Sequence, residues 1–189
     1  MTLANKITLT RIALIPIVVI LMQLGGLGCT VAALVLFILT SATDFLDGYV
    51  ARKYNQVTDF GKFVDPLADK LLVTAAMCMF VQQGLMAGWM VFIILAREFI
   101  ITSLRTISAM KGVAMAAAWS GKVKTCVQIA GIIVIFVCSI ALQSGAAADS
   151  LPTVYAAAGW IMTLVTLYSG YDYLKRNWDL VADGATTKK

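Results

Sequence analysis

The sequence predicts an all-α integral membrane protein of six transmembrane helices, and three observations predict it. Of the 189 residues, 60% are hydrophobic, 13% are charged and none is histidine. That leaves too few polar residues to clothe a soluble domain of this length. Six segments approach or exceed the roughly 20 mostly apolar residues that a spanning helix needs. The Lys and Arg residues also gather at alternate connections, as the charge asymmetry of a multi-pass protein requires.

The first span is read over Ile7–Leu24, beginning behind Lys6 and ending at the Gly25-Gly26-Leu27-Gly28 turn. A basic residue ahead of an apolar run also fits a cleaved signal peptide. Pro16 interrupts the run, Thr8, Thr10 and Arg11 sit early in it, and the chain after Cys29 is again apolar, so a retained span is expected. The second and third spans are Thr30–Arg52 and Gly61–Gln82, joined by the short connection 53–60 and followed by the Gln82-Gln83-Gly84 turn. Leu85–Met110, Val123–Gln143 and Leu151–Lys175 complete the set, with Ser144-Gly145 as the turn between the last two. Residues 1–178 are read as one membrane catalytic domain and 179–189 as a polar cytoplasmic tail.

The connections around 25–29, 82–87 and 144–151 contain no Lys or Arg, whereas all fifteen basic residues lie toward the other side. This places both termini in the cytoplasm. The net charge of +5 then faces anionic lipid headgroups, and no nucleic-acid partner is expected. Cys29, Cys78, Cys126 and Cys138 lack metal-ligand spacing and read as small buried apolar residues. Trp89, Trp119, Trp160, Trp178, Tyr171 and Tyr173 read mostly as interfacial aromatics. Gly84 and Gly88 form a GxxxG at the start of the fourth span, a weak pointer to a dimer contact.

Half of the ten acidic residues fall between positions 44 and 69: Asp44, Asp47, Asp59, Asp65 and Asp69. Carboxylates at membrane depth are costly and usually bind ions, pair with cations or line a cavity. Asp44 and Asp47 are three apart on one helix, and Gly61, Asp65 and Asp69 are spaced by four on the next, so each set shares a face. The short connection makes the two helices antiparallel neighbours. Ion pairing with Arg52, Lys53, Lys62 and Lys70 accounts for any one aspartate, but less well for four together. Two divalent cations, Mg²⁺ or Mn²⁺, suit such an oxygen donor set and can clamp phosphate oxygens during a displacement.

The pattern Asp44-x2-Asp47-Gly48-x2-Ala51-Arg52-x8-Gly61-x3-Asp65-x3-Asp69 resembles the signature of the CDP-alcohol phosphotransferases. The stretches Asn5–Arg11, Asp65–Lys70, Ala96-Arg97-Glu98 with Arg105, and Trp119–Thr125 resemble the phosphatidylglycerophosphate-forming branch of that family. The resemblance implies a six-helix enzyme of the cell (inner) membrane, usually a homodimer, with a cytoplasmic site. Its reaction would pass the phosphatidyl group of CDP-diacylglycerol to glycerol 3-phosphate, releasing CMP. By position, Asp44, Asp47, Asp65 and Asp69 would be metal ligands, and Asp69 also the general base. Gly48, Ala51, Arg52 and Gly61 would shape the CDP site.

An acceptor that carries a phosphate needs cations, and Arg97, Arg105, Lys122 and Lys124 are the candidates. Positive-inside anchoring is the plainer account of Lys122 and Lys124, while Arg97 and Arg105 lie within a span. Glu98 is read as balancing one of them. The apolar stretch Gly112–Ala118 departs from relatives that carry extra basic residues there. Another acceptor (inositol phosphate, serine or phosphatidylglycerol) is the near alternative. A divalent-cation transporter is the distant one, and acids confined to one membrane face argue against it.

Overall fold

The computed structural model describes residues 3–53, 59–110, 119–145 and 149–178, with side chains described for 8–43, 67, 68, 70–109, 119–145 and 149–178. Within these the chain is all-helical: α1 (Leu3–Leu24), α2 (Leu27–Lys53), α3 (Asp59–Gln82), α4 (Gly88–Met110), α5 (Trp119–Gln143) and α6 (Leu151–Arg176). The expected helices are therefore present, with ends shifted by a few residues. Gly25, Gly26 and Gly84 adopt positive φ, which lets the chain reverse within a few residues between α1 and α2 and between α3 and α4. Gly84 thus lies in a turn and α4 starts at Gly88, so these two glycines do not form a helical GxxxG face.

α1 packs on α2 and α3, α6 packs on α5 and α4, and α2 joins the two groups through α5. A contact cluster of aromatics marks this junction. Phe136 of α5 lies with its ring centroid 4.9 Å from Phe80 of α3 and 5.8 Å from Phe37 of α2. All three side chains are fully buried, and aromatic pairs in this range add to their area burial. At Gly131 of α5, an added Cβ would meet Met162 Sδ of α6 at 2.5 Å, so the absent side chain permits the close approach of these helices.

Several buried threonines are satisfied locally. Thr40, Thr163 and Thr166 donate hydrogen bonds to the carbonyls of Leu36, Gly159 and Met162, one turn back on their own helices. At the end of the bundle carrying the α1–α2 and α5–α6 turns, the Gln143 amide donates to Thr30 Oγ1 (3.0 Å) and Ser139 Oγ (3.2 Å).

The outside of the bundle is apolar. Ile20, Leu39, Leu67, Phe92, Val137 and Leu164, one from each helix, are all exposed, and many neighbours accompany them. A soluble protein rarely exposes contiguous apolar surface on this scale, whereas lipid requires it. By length and composition alone, two helices qualify as spans, Trp119–Gln143 and Leu151–Arg176, beside shorter apolar stretches over Thr8–Leu24, Leu27–Thr43 and Lys70–Gln82. In α4, Arg97, Glu98 and Arg105 interrupt the apolar run. Those charges are where the fold turns into a site.

Two expectations about side chains need correcting. Cys78 and Cys126 are exposed on the apolar outer surface rather than buried, while Cys138 is buried as expected. Trp89, Trp119, Trp160, Trp178 and Tyr171 do point outward, but Tyr173 is 4% exposed and faces inward.

Candidate active site

The residues expected to serve the site divide into two groups. Asp44, Asp47, Gly48, Ala51 and Arg52 lie in α2, and Gly61, Asp65 and Asp69 lie in α3. Their helical spacing is therefore as expected, and α2 touches α3. Their side chains lie outside the described residues, as do residues 112–118. As a donor set, four carboxylates at i, i+3 and i, i+4 on neighbouring helices fit hard divalent cations, which take oxygen ligands.

The second group is described in full. Arg97, Arg105, Lys122 and Lys124 all line one cavity of about 280 Å³ enclosed by α3, α4, α5 and α6. Helix α4 supplies Ile94, Glu98, Ile101, Thr102 and Arg105 at a spacing of three or four, so one face of the helix forms a wall. Helix α5 supplies Gly121, Lys124, Thr125 and Gln128 in the same way, with Lys122 beside them. Helix α3 contributes Lys70, Val73, Thr74 and Met77, and α6 contributes Tyr173. Asp69 precedes Lys70 and stands one turn from Val73 on the same helix, so the aspartate motif and the cavity share α3.

Within the cavity wall, Glu98 is the only carboxylate among the described lining residues, facing Lys70, Arg97, Arg105, Lys122 and Lys124. It pairs with three of the five. Lys124 Nζ donates directly to Glu98 Oε1, Arg97 Nη1 lies 3.3 Å from the same oxygen, and Lys70 Nζ lies 3.8 Å from Oε2. Glu98, read from sequence as balancing a single arginine, is thus the shared counter-ion of α3, α4 and α5.

Arg97 is held from the other side as well. Its Nη2 donates to Ser169 Oγ of α6 at 2.7 Å, and a Cβ added at Gly170 would come within 3.0 Å of its Cγ. The small residues of α6 therefore make room for the arginine stem. Arg97 Nε is buried with no hydrogen-bond partner among the described residues, an orphan donor whose burial is costly.

A second carboxylate ties α6 to the start of α5. Asp172 of α6 accepts hydrogen bonds from Ser120 Oγ (2.6 Å) and Arg176 Nε (2.8 Å), which fixes the start of α5 just before Gly121 and Lys122. Lys70 also donates to Thr102 of α4, and Gln128 donates to Thr166 of α6 at 3.3 Å. Sequence reasoning missed Thr102, Gln128, Ser169, Asp172 and the inward aim of Tyr173. The period of the α4 and α5 faces could have found Thr102 and Gln128. The α6 residues become visible only when that helix is docked.

The sequence profile of the CDP-alcohol phosphatidyltransferases matches residues 1–168. The chain belongs to that family. It is 43% identical to a CDP-diacylglycerol–glycerol-3-phosphate 3-phosphatidyltransferase of Bacillus subtilis, over 94% of this chain and 95% of the relative. The protein of the same name from Rickettsia bellii is 36% identical, over 92% of this chain and 93% of its own length. A probable phosphatidylglycerophosphate synthase of Mycobacterium tuberculosis is 37% identical, over 92% of this chain and 80% of the relative. Members of this family are membrane helical bundles and generally use divalent metal ions.

Proposed function

We propose that this chain transfers the phosphatidyl group of CDP-diacylglycerol to sn-glycerol 3-phosphate, forming phosphatidylglycerophosphate and CMP. The observation that carries the acceptor assignment is the cavity beside α3, whose described lining residues hold five cations and one carboxylate. An acceptor with a phosphomonoester needs such a pocket, whereas serine does not. Relatives that cover nearly the whole chain carry this activity in their names.

On this reading, Asp44, Asp47, Asp65 and Asp69 hold two divalent ions, Mg²⁺ or Mn²⁺. When bound, those ions supply charge neutralisation for the diphosphate. Gly48, Ala51, Arg52 and Gly61 shape the CDP site, and Gly48 and Gly61 leave room for the ligand against the helix backbone. Arg97, Arg105, Lys122 and Lys124 together form the pocket for the acceptor phosphate and so orient the glycerol toward α3. Asp69 takes the proton of a glycerol hydroxyl. That oxygen forms the new bond to the diacylglycerol-linked phosphorus, and the bond from this phosphorus to the oxygen of CMP breaks.

All six helices cross the cell (inner) membrane with both termini and the site at the cytoplasmic face. Residues 1–178 form one catalytic unit, residues 179–189 a polar tail, and two copies associate as a homodimer among membrane lipids. The test is CMP release by the purified protein with CDP-diacylglycerol and Mg²⁺ or Mn²⁺, comparing glycerol 3-phosphate, inositol phosphate, serine and phosphatidylglycerol. Metal-dependent release with glycerol 3-phosphate alone is expected. Release with a different acceptor would overturn the pocket assignment, and release with none would overturn the reaction.

A further inference from the structure

We infer that Glu98 is a specificity-determining residue that splits the cavity's cations into a neutralised set and an anion-binding set. The inference rests on the proposed acceptor site and names which of its cations take the phosphate. Lys124, Arg97 and Lys70 converge on the Glu98 carboxylate from three helices. Among the described residues, no hydrogen bond or ion pair engages Arg105 or Lys122, although both line the same cavity. Lys124 and Arg97 are also the deeper groups, with side chains only 7% and 12% exposed.

A buried cation already matched by a carboxylate gains little from a second anion, because the first pair must be broken or crowded. Arg105 and Lys122 are exposed, so water screens them in part, but with no carboxylate to displace they keep more of the interaction. The phosphate of the acceptor therefore sits between Arg105 and Lys122, while Glu98 acts as a fixed internal anion that competes for the remaining positive charge. This limits how tightly the cavity holds a phosphate. Without it, the enzyme would be inhibited by free phosphate and would release its phosphorylated product slowly. Specificity here comes from a built-in repulsion as much as from attraction. Glu98 does not need to touch the reacting atoms.

The experiment uses the full-length protein in detergent, with inorganic phosphate as the probe and thermal stabilisation as the readout, beside steady-state kinetics with glycerol 3-phosphate. In Glu98→Gln, phosphate affinity should rise by roughly tenfold, the effect of one added net positive charge in a partly enclosed site. The KM for glycerol 3-phosphate and kcat should fall together, and Glu98→Asp should restore native values. A damaged fold cannot produce tighter binding, so the direction of the change separates this role from a purely structural one. Unchanged or weakened phosphate affinity in folded Glu98→Gln would overturn the inference.

Should Glu98→Gln not fold, the division of cations is still tested. Arg105→Gln should weaken phosphate by about tenfold or more, and the charge-conserving double variant Lys124→Gln/Glu98→Gln, which removes a matched pair, by less than about threefold. Equal losses would overturn the inference. Because phosphate affinity is read without turnover, a protein that obeys these shifts but releases no CMP would retain the cation division and lose the proposed reaction.

Discussion

The two halves of the site are built in opposite ways. The carboxylate half occupies one stretch of 26 residues on two consecutive helices, α2 and α3, and its spacing is written in the chain. The cationic half draws Lys70, Arg97, Arg105, Lys122 and Lys124 from three helices and leans on Ser169, Asp172 and Tyr173 of a fourth. The comparison teaches a division of labour. On the proposed function, chemistry on the diphosphate needs a fixed constellation, which a short motif can secure. Recognition of the acceptor, on the same proposal, needs a shaped, charged cavity, which only tertiary packing provides.

If the halves divide the work, substitutions should separate into effects on turnover and effects on acceptor affinity. The largest effect is expected at Asp69→Asn. Loss of a general base costs about 10²- to 10⁴-fold in rate, and kcat should fall by that order while lipid-nucleotide binding persists. Near-normal turnover would break the division at its strongest point. Next comes Arg105→Gln, which should raise the KM for glycerol 3-phosphate by about 10- to 100-fold with kcat largely kept, as expected for one charged hydrogen-bonding partner. A fall in kcat without a change in KM would mean that Arg105 serves the reaction rather than recognition.

A smaller effect tests how the cavity is held. In Gly170→Ala the new Cβ would press on Arg97 Cγ from 3.0 Å. Displacing Arg97 by a few tenths of an ångström should cost about three- to tenfold in kcat/KM for glycerol 3-phosphate, well below a full 1 Å misplacement. Unchanged kinetics would mean that the packing of α6 on Arg97 does not set the shape of the acceptor cavity. The smallest effect is expected far from both halves. Gln143→Leu deletes the hydrogen bonds to Thr30 and Ser139. Thermal denaturation in detergent should register a loss of about 0.6 kcal/mol, typical of interhelical hydrogen bonds in membranes, with unaltered KM and kcat.

Much of this molecule was legible in its sequence, for physical reasons that also mark the boundary. Apolar segments bounded by turns predicted all six helices, because the membrane solvent demands long apolar runs and satisfied backbones. Arg97, Arg105, Lys122 and Lys124 were singled out because charges within or beside a span are expensive, and they line one cavity. What could not be read was which cations are already spent. Glu98 stands next to Arg97 in sequence, yet Lys124 and Lys70 reach it from other helices, and a linear pattern carries no record of that convergence. Tyr173 failed for the same reason. Two residues from outward-facing Tyr171, it turns inward because α6 packs that face against α4 and α5.

The cavity's preference for a phosphorylated acceptor is the property on which the proposed function depends most directly. The decisive measurement is kcat/KM for glycerol 3-phosphate relative to unphosphorylated glycerol, in the native protein and in Arg105→Gln. The native protein should prefer glycerol 3-phosphate strongly, and Arg105→Gln should cut that preference by about 10- to 100-fold while CMP release remains dependent on the divalent ion. A preference that survives the substitution intact would show that the phosphate is read elsewhere and would contradict the account.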